Sequence, residues 1–340
     1  MAELNRTQMM ERSLGTFIPK DSGGLVTPTI KHHNSTGSPI LDNMFRLGSG
    51  PGGLPGGKFV EFYGREGAGK TALAMAAIAQ AQAAGGLGVL ISSEGIDDIW
   101  LSGPLNVITN DPNRWAYFEG YTLESALGAL TAVIWEFHDA KYPVVVVVDS
   151  LSAHGSSENS ITKKQMGDSK RAAADAKACH EFNRSGVQYL LSGSSVTPII
   201  IRHQTESPRP YAGELTTHGS SFNYSTWVRL KLRGKPLLNP KKQKLGTWVE
   251  VKCTKSKIGW NSWKHSMPLY WDTGWDRGME CVSWLLDNCK KEYKLDKNGR
   301  LKIFESNKFP SEWRTKYQTD LGFQDELQTL VYEKFLEIYQ

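Results

Sequence analysis

The chain has 340 residues, 39% of them hydrophobic and 22% charged, the make-up of a globular protein with room for one large α/β domain and small appendages. No apolar run is long enough to span a membrane, the opening residues lack the apolar centre of a secretory signal, and the four cysteines (Cys179, Cys253, Cys281 and Cys289) have neither zinc-site nor disulfide-frame spacing. They read as reduced thiols of a cytosolic protein, and the formal charge of +5 leans only mildly toward an anionic partner.

Residues 1–34 are polar, with a short helical stretch at 4–14, and read as an arm outside the core. Residues 34–57 are rich in turn formers, interrupted by the helical spacing of Ile40, Leu41, Met44, Phe45 and Leu47. Strand and helix then alternate. The pattern predicts a strand at 58–63, an Ala-rich helix at 70–84, a strand at 87–92 and a helix at 122–140. The valine run at 144–148 is typical of a strand buried on both faces. A helix at 169–183 and a strand at 198–202 follow. This order predicts a mainly parallel sheet with helices on both faces. From about residue 222 the pattern turns antiparallel, with strands at 227–233, 247–254 and 263–271. A change of style near Gly274 predicts a small C-terminal domain with helices at 277–291 and 323–338.

The run Gly64-Arg65-Glu66-Gly67-Ala68-Gly69-Lys70-Thr71 stands between a strand and a helix, the context a P-loop needs. Its glycines let backbone N–H groups wrap phosphate oxygens, Lys70 reaches the β/γ-phosphates, and the Thr71 hydroxyl holds Mg²⁺. Asp149 closes the valine strand, where an acid orients the same cation. Glu94 follows a second strand and, if that strand neighbours the P-loop strand, orients the attacking water. Gln204 ends a third strand and is placed to sense a γ-phosphate and pass its state into the polar loop 205–219, which holds Arg209 and Tyr211. Lys255 and Lys257 share one face of a strand, which by itself describes a solvated edge.

Taken in order, these stretches resemble the RecA family of recombinases from about Asn34 to the C-terminus. The resemblance rests on Ser35-Thr36-Gly37-Ser38-Pro39-Ile40-Leu41-Asp42 before the core and on Gly52-Gly53-Leu54-Pro55-Gly56-Gly57-Lys58 leading to the P-loop. It rests also on Glu214-Leu215-Thr216-Thr217-His218-Gly219 with Trp227-Val228-Arg229-Leu230, and on Thr254-Lys255-Ser256-Lys257-Ile258. It implies an α/β fold: a RecA-type P-loop ATPase core at 35–273 with an antiparallel extension, a small α+β domain at 274–340, and an arm at 1–34 that serves polymerisation. By the same resemblance Glu94 activates water, Gln204 couples ATP to DNA, and Lys255 and Lys257 reach the ATP of a neighbouring subunit. Tyr224 falls at an aromatic subunit contact, and Asp98 or Trp100 flanks the adenine. Residues 156–169, with Lys163 and Lys164 and with Arg171 just after, match the first DNA-binding loop; residues 205–218 match the second.

The resemblance implies an ATP- and Mg²⁺-dependent DNA recombinase in the cytoplasm of a bacterium or phage-infected host. It would form filaments of its own copies on single-stranded DNA, pair them with homologous duplex DNA, and meet single-strand-binding or mediator proteins, with no membrane involved. His203 stands where the family has Asn, His218 replaces a glycine, and the arm is hard to match. These departures and the 11 tryptophans point to a divergent bacteriophage member of the UvsX type. Two other readings stay open: a ring-forming RecA-core motor or helicase, and an ATP-binding mediator without strand exchange.

Overall fold

A computed structural model describes residues 30–46, 50–153, 168–205, 215–216, 221–239, 241–258, 261–304, 306–308 and 310–339. The expected helix at 4–14, Leu47, most of loop 156–169 and the greater part of loop 205–218 lie outside the described residues.

The chain opens with β1 (His33–Asn34), helix α1 (Pro39–Met44) and β2 (Leu54–Pro55). Ser38 caps α1 by accepting from Leu41 N, with proline in the first turn. The alternating region follows as β3 (Val60–Gly64), α2 (Lys70–Ala83), β4 (Leu87–Ser92), α3 (Asp98–Ser102), β5 (Trp115–Glu119), α4 (Leu123–Phe137), β6 (Val144–Asp149), α5 (Asp168–Arg184), α6 (Val187–Leu191) and β7 (Val196–Thr205). Then come β8 (Leu215–Thr216), α7 (Ser221–Ser225), β9 (Val228–Leu238), β10 (Lys244–Ser256), β11 (Lys264–Tyr270) and β12 (Gly274–Trp275). The chain ends with α8 (Arg277–Asn288), β13 (Leu301–Ile303), β14 (Ser306–Lys308), α9 (Pro310–Thr319) and α10 (Leu321–Tyr339).

The main sheet has 10 strands in the order β12-β11-β10-β9-β3-β7-β6-β4-β5, with β8 attached to β7. From β9 to β5 every neighbouring pair is parallel, and β9-β10-β11-β12 is the antiparallel extension. The valine strand explains the layering. Val145 and Val147 belong to one apolar cluster, with α1, α2 and the C-terminal helices. Val144, Val146 and Val148 belong to the other, with α4, α5 and α6. Such period-two burial on both faces is what a central parallel strand requires. The first cluster continues past residue 274 through Trp284, Trp313, Phe323 and Phe335, with the Trp313 and Phe323 rings stacked at 5.3 Å. Among the described residues no helix is long and apolar enough to cross a membrane, and the four cysteines are free and buried.

Two buried charge networks cross these layers. Glu280, on α8, takes hydrogen bonds from Ser38, from Arg277 at 3.0 Å, and meets His265 Nε2 of β11 at 3.0 Å. Against burial, Arg277 and the hydrogen bonds of His265 and Ser38 hold its carboxyl below the usual range. Glu61, the second residue of β3, meets Arg202 of β7 at 3.3 Å and Arg229 of β9 at 2.7 Å. It therefore fastens the P-loop strand to both of its neighbours.

The sequence reading needs correction at several points. β4 does not neighbour β3, because β7 and β6 stand between them. β7 runs to Thr205, so Gln204 is inside the strand. The pattern does not predict β5 or α9.

Glu61 is 1% exposed and Arg202 is fully buried. Glu61→Ala leaves that guanidinium without its carboxylate and is expected to lower unfolding free energy by about 3–5 kcal/mol, read by urea denaturation. A loss below about 1 kcal/mol would make the network energetically equivalent to a surface pair.

Candidate nucleotide site

The P-loop connects β3 to α2 by a turn that only glycine satisfies at two points. Gly69, just before the helix, has φ of 85°, and a Cβ there would stand 2.7 Å from Val249 Cγ2 of β10. At Gly64 a Cβ would stand 2.2 Å from the Leu232 carbonyl of β9. The loop is thus pressed against the antiparallel extension, and its backbone N–H groups open at the N-terminus of a helix, where anions are favoured.

Lys70 is 5% exposed. Its ammonium donates to the carbonyls of Gly64 at 3.2 Å and Arg65 at 2.8 Å. Burial pulls its pKa down, against Asp149, Glu66 and Glu94, which push it up. Thr71 Oγ1 donates to Asp149 Oδ2 at 2.6 Å, joining α2 to the end of β6. Burial raises the Asp149 pKa, and Glu94 adds to that; the Thr71 hydrogen bond, Lys70 and His203 oppose it. His203 is pulled below its ordinary value by burial and then by Lys70, against the three nearby carboxylates.

These groups meet in one cavity of about 260 Å³, lined on its polar part by Lys70, Thr71, Glu94, Asp149 and His203 and on its apolar part by Trp100, Leu269 and Trp271. Glu94 reaches it although its strand is remote from β3. Ser92 shapes that turn: its hydroxyl donates to the Glu94 carbonyl at 2.7 Å and accepts from the Glu94 N–H at 3.1 Å. Asp98 starts α3, is exposed, and is not among the lining residues. Trp271 is one the sequence does not reveal. It follows β11, is 51% exposed, and with Trp100 offers an indole wall for a planar base.

A second cavity of about 420 Å³ shares Glu66, Gly67 and Ala68 with the first and is lined also by Arg65, Gln204, Leu232, Arg233 and Gly234. Gln204 therefore stands beside the P-loop but in a separate chamber from Lys70.

Lys255 and Lys257 lie elsewhere. In register, Ser256 faces Val228, which faces Val60, so the lysines sit at the N-terminal end of the parallel strands. Gly64 is at the other end of β3, about 13 Å away at the rise of a strand. The Lys255 ammonium donates to the Asn223 carbonyl and Lys257 to the Tyr224 carbonyl at 3.5 Å. Burial lowers the Lys255 pKa, and Lys257 and Arg229 lower it further. Tyr224 beside them is 79% exposed. Arg171 falls within α5. Lys163, Lys164, Arg209 and Tyr211 lie outside the described residues.

A family model of the RecA N-terminal domain matches residues 27–276. The chain belongs to the RecA family. RecA of Ureaplasma parvum serovar 3 is 26% identical over 308 residues, 89% of this chain and 85% of that protein. RecA of Acidothermus cellulolyticus is 32% identical over 224 residues, 65% of this chain and 61% of that protein. RecA of Helicobacter hepaticus is 24% identical over 307 residues, 86% and 85% of the two chains. As a RecA family member the chain is an ATP-binding recombination protein, and the described α/β sheet is the RecA core.

The raised Asp149 pKa gives a sign. The folded protein disfavours the ionised carboxylate, so Asp149 costs stability increasingly as pH rises from its unfolded pKa through its folded one. Asp149→Asn keeps an acceptor for Thr71 and removes that charge. It is expected to raise the nucleotide-free melting temperature at pH 7 by about 2 °C and to leave it unchanged in acid, read by calorimetry across pH. A lower melting temperature at pH 7 would reverse the assignment.

Proposed function

We propose that this RecA family chain is a DNA-dependent ATPase that assembles head to tail on single-stranded DNA and promotes homologous pairing and strand exchange. One observation carries the reading: the P-loop cavity and the Lys255–Lys257 pair occupy opposite ends of the same sheet. Lysines so placed cannot serve their own nucleotide, whereas a second copy stacked in the same direction brings them to it. Such a heterologous contact repeats without closing unless its rotation happens to close.

In this mechanism Lys70 and the loop N–H groups bind the phosphates, and Glu94 orients water at the cavity. Thr71 and Asp149 are hard oxygen ligands 2.6 Å apart and fit Mg²⁺. No described cluster of three or more His, Cys, Asp or Glu competes as a metal site, so phosphate and water oxygens would complete the shell. Bound there, Mg²⁺ supplies neutralisation of charge on the phosphate oxygens. Lys255 and Lys257 of the next subunit add positive charge at the γ-phosphate, so ATP tightens the contact and hydrolysis loosens it. Gln204 passes the nucleotide state into the loop beyond β7, and the two DNA-binding loops, with Lys163, Lys164, Arg171, Arg209 and Tyr211, hold the DNA backbone in a salt-dependent, weakly sequence-dependent way.

The same reading divides the chain into a polymerising arm (1–34), an ATPase core (35–273) and a C-terminal domain (274–340). It includes homologous duplex DNA and single-strand-binding or mediator proteins as partners, and a cytoplasmic site of action. The His203 and His218 departures support placement in a divergent bacteriophage branch of the UvsX type.

Electron microscopy with single-stranded DNA and a slowly hydrolysed ATP analogue is expected to show helical filaments that need both. Lys70→Ala is expected to abolish them and to weaken nucleotide binding about tenfold or more. Closed rings would favour the motor reading, and ATP-bound monomers the mediator. For the lysine pair, Lys255→Ala combined with Lys257→Ala is expected to lower the Hill slope of ATP hydrolysis to that of independent sites while leaving nucleotide binding by monomers intact. An unchanged slope with normal filaments would return both lysines to the surface.

A further inference from the structure

Lys58, Trp227 and Lys257 stand side by side at the ends of three strands: just before β3, just before β9 and just after β10. Backbone hydrogen bonds set the row. The Trp227 N–H donates to the Phe59 carbonyl at 2.9 Å, and the Lys257 N–H donates to the Trp227 carbonyl at 2.9 Å. The indole is half-buried against the apolar cluster that holds α1 and α2, so the ring is anchored to the core.

Two ammoniums converge on that one ring. Lys58 Nζ lies 4.4 Å from its centroid and Lys257 Nζ 5.4 Å, within cation–π reach. The two charges are therefore less than one salt-screening length, about 10 Å, apart. Burial and then the Lys257 charge pull the Lys58 pKa below its ordinary value. Lys255 stands in the same field, with Lys257 and Arg229 acting against its charge and Glu61 in its favour. Glu61, however, is already engaged by Arg202 and Arg229. A solvated lysine would carry its head away into water. Here the heads gather, and an arriving polyanion relieves their repulsion.

On the reading above, Lys255 and Lys257 meet the nucleotide of a neighbouring copy, and this inference rests on that reading. We propose that Lys58 is a third cation of the inter-subunit phosphate contact and that Trp227 is the positioning residue that holds Lys58 and Lys257 for it. The resemblance to the family names neither residue for this role. Lysine is a point charge on a flexible stem. The indole restrains two such stems before the neighbour arrives, so less freedom is lost when the subunits meet.

The test compares two quantities for the full chain. One is the chain concentration at half-maximal assembly on single-stranded DNA with a non-hydrolysable ATP analogue and Mg²⁺. The other is the affinity of dilute chain for the same analogue without DNA. Lys58→Gln and Trp227→Leu are each expected to raise the first about tenfold, the loss of one charge-assisted contact per interface, and to leave the second within about twofold. Lys58→Arg and Trp227→Phe are expected to keep both quantities, because they retain the charge and the aromatic face. Lys255→Ala combined with Lys257→Ala is the reference. If that double variant assembles as the unaltered chain does, or if the unaltered chain does not assemble, the reading of an inter-subunit lysine pair falls and this inference with it. If the double variant fails to assemble while Lys58→Gln and Trp227→Leu assemble normally, the inference alone is overturned. Equal losses in Lys58→Gln and Lys58→Arg would make Lys58 a packing residue and overturn it as well. Should Trp227→Leu lower the melting temperature, the contrast between Lys58→Gln and Lys58→Arg decides.

Discussion

Parallel pairing from β9 across to β5 brings the carboxyl ends of these strands to one side of the molecule. The polar residues that follow β3, β4, β6 and β7 come from stretches of chain far apart, and nothing else in the fold would gather them. The Thr71–Asp149 hydrogen bond is the cross-link that this alignment permits, tying the start of α2 to β6 over the intervening β7. The fixed side of that alignment is Glu61, whose two arginine partners hold β3 between β7 and β9. A slip of one residue would turn Glu61 out of reach of both and reverse the faces of β3.

The cavity keeps opposite charges close but incompletely paired. Lys70 is held by carbonyls, not by a carboxylate, and Asp149 by a hydroxyl. Each retains an environment that disfavours its charge. A polyanion with a cation would improve both at once, which is how a site can be stable without ligand and still favour it. The Glu280 network behaves oppositely. There the carboxylate is fully matched by Arg277, His265 and Ser38, and it serves to join α1, β11 and α8.

Much of this was legible from residue order. The valine run, the glycine-rich turn and the Ala-rich helix have short-range causes, and each lies close to where its pattern puts it. β5 escaped because an edge strand need not alternate: Ala116, Tyr117, Phe118 and Glu119 are all exposed, so burial imposes no period. α9 is anchored by Trp313 and Tyr317, four residues apart in a polar segment, too sparse a stripe to announce a helix. Strand order is a long-range property, and for that reason the neighbour of β3 was not readable. Trp271 gave no signal because the cavity it lines is assembled from residues far away in sequence. The opposed facings of His203 and Gln204, by contrast, follow from strand geometry alone once Gln204 is known to lie inside β7.

A molecule with its P-loop at one end and its lysine pair at the other has a direction. Any row of such molecules stacked the same way has unlike tips. One tip carries a loop that no lysine pair faces, and the other carries lysines that face no loop. However long the row, the number of incomplete sites stays constant while the complete ones grow with length. The tips therefore differ in chemistry from the interior and from each other, and short rows are dominated by them.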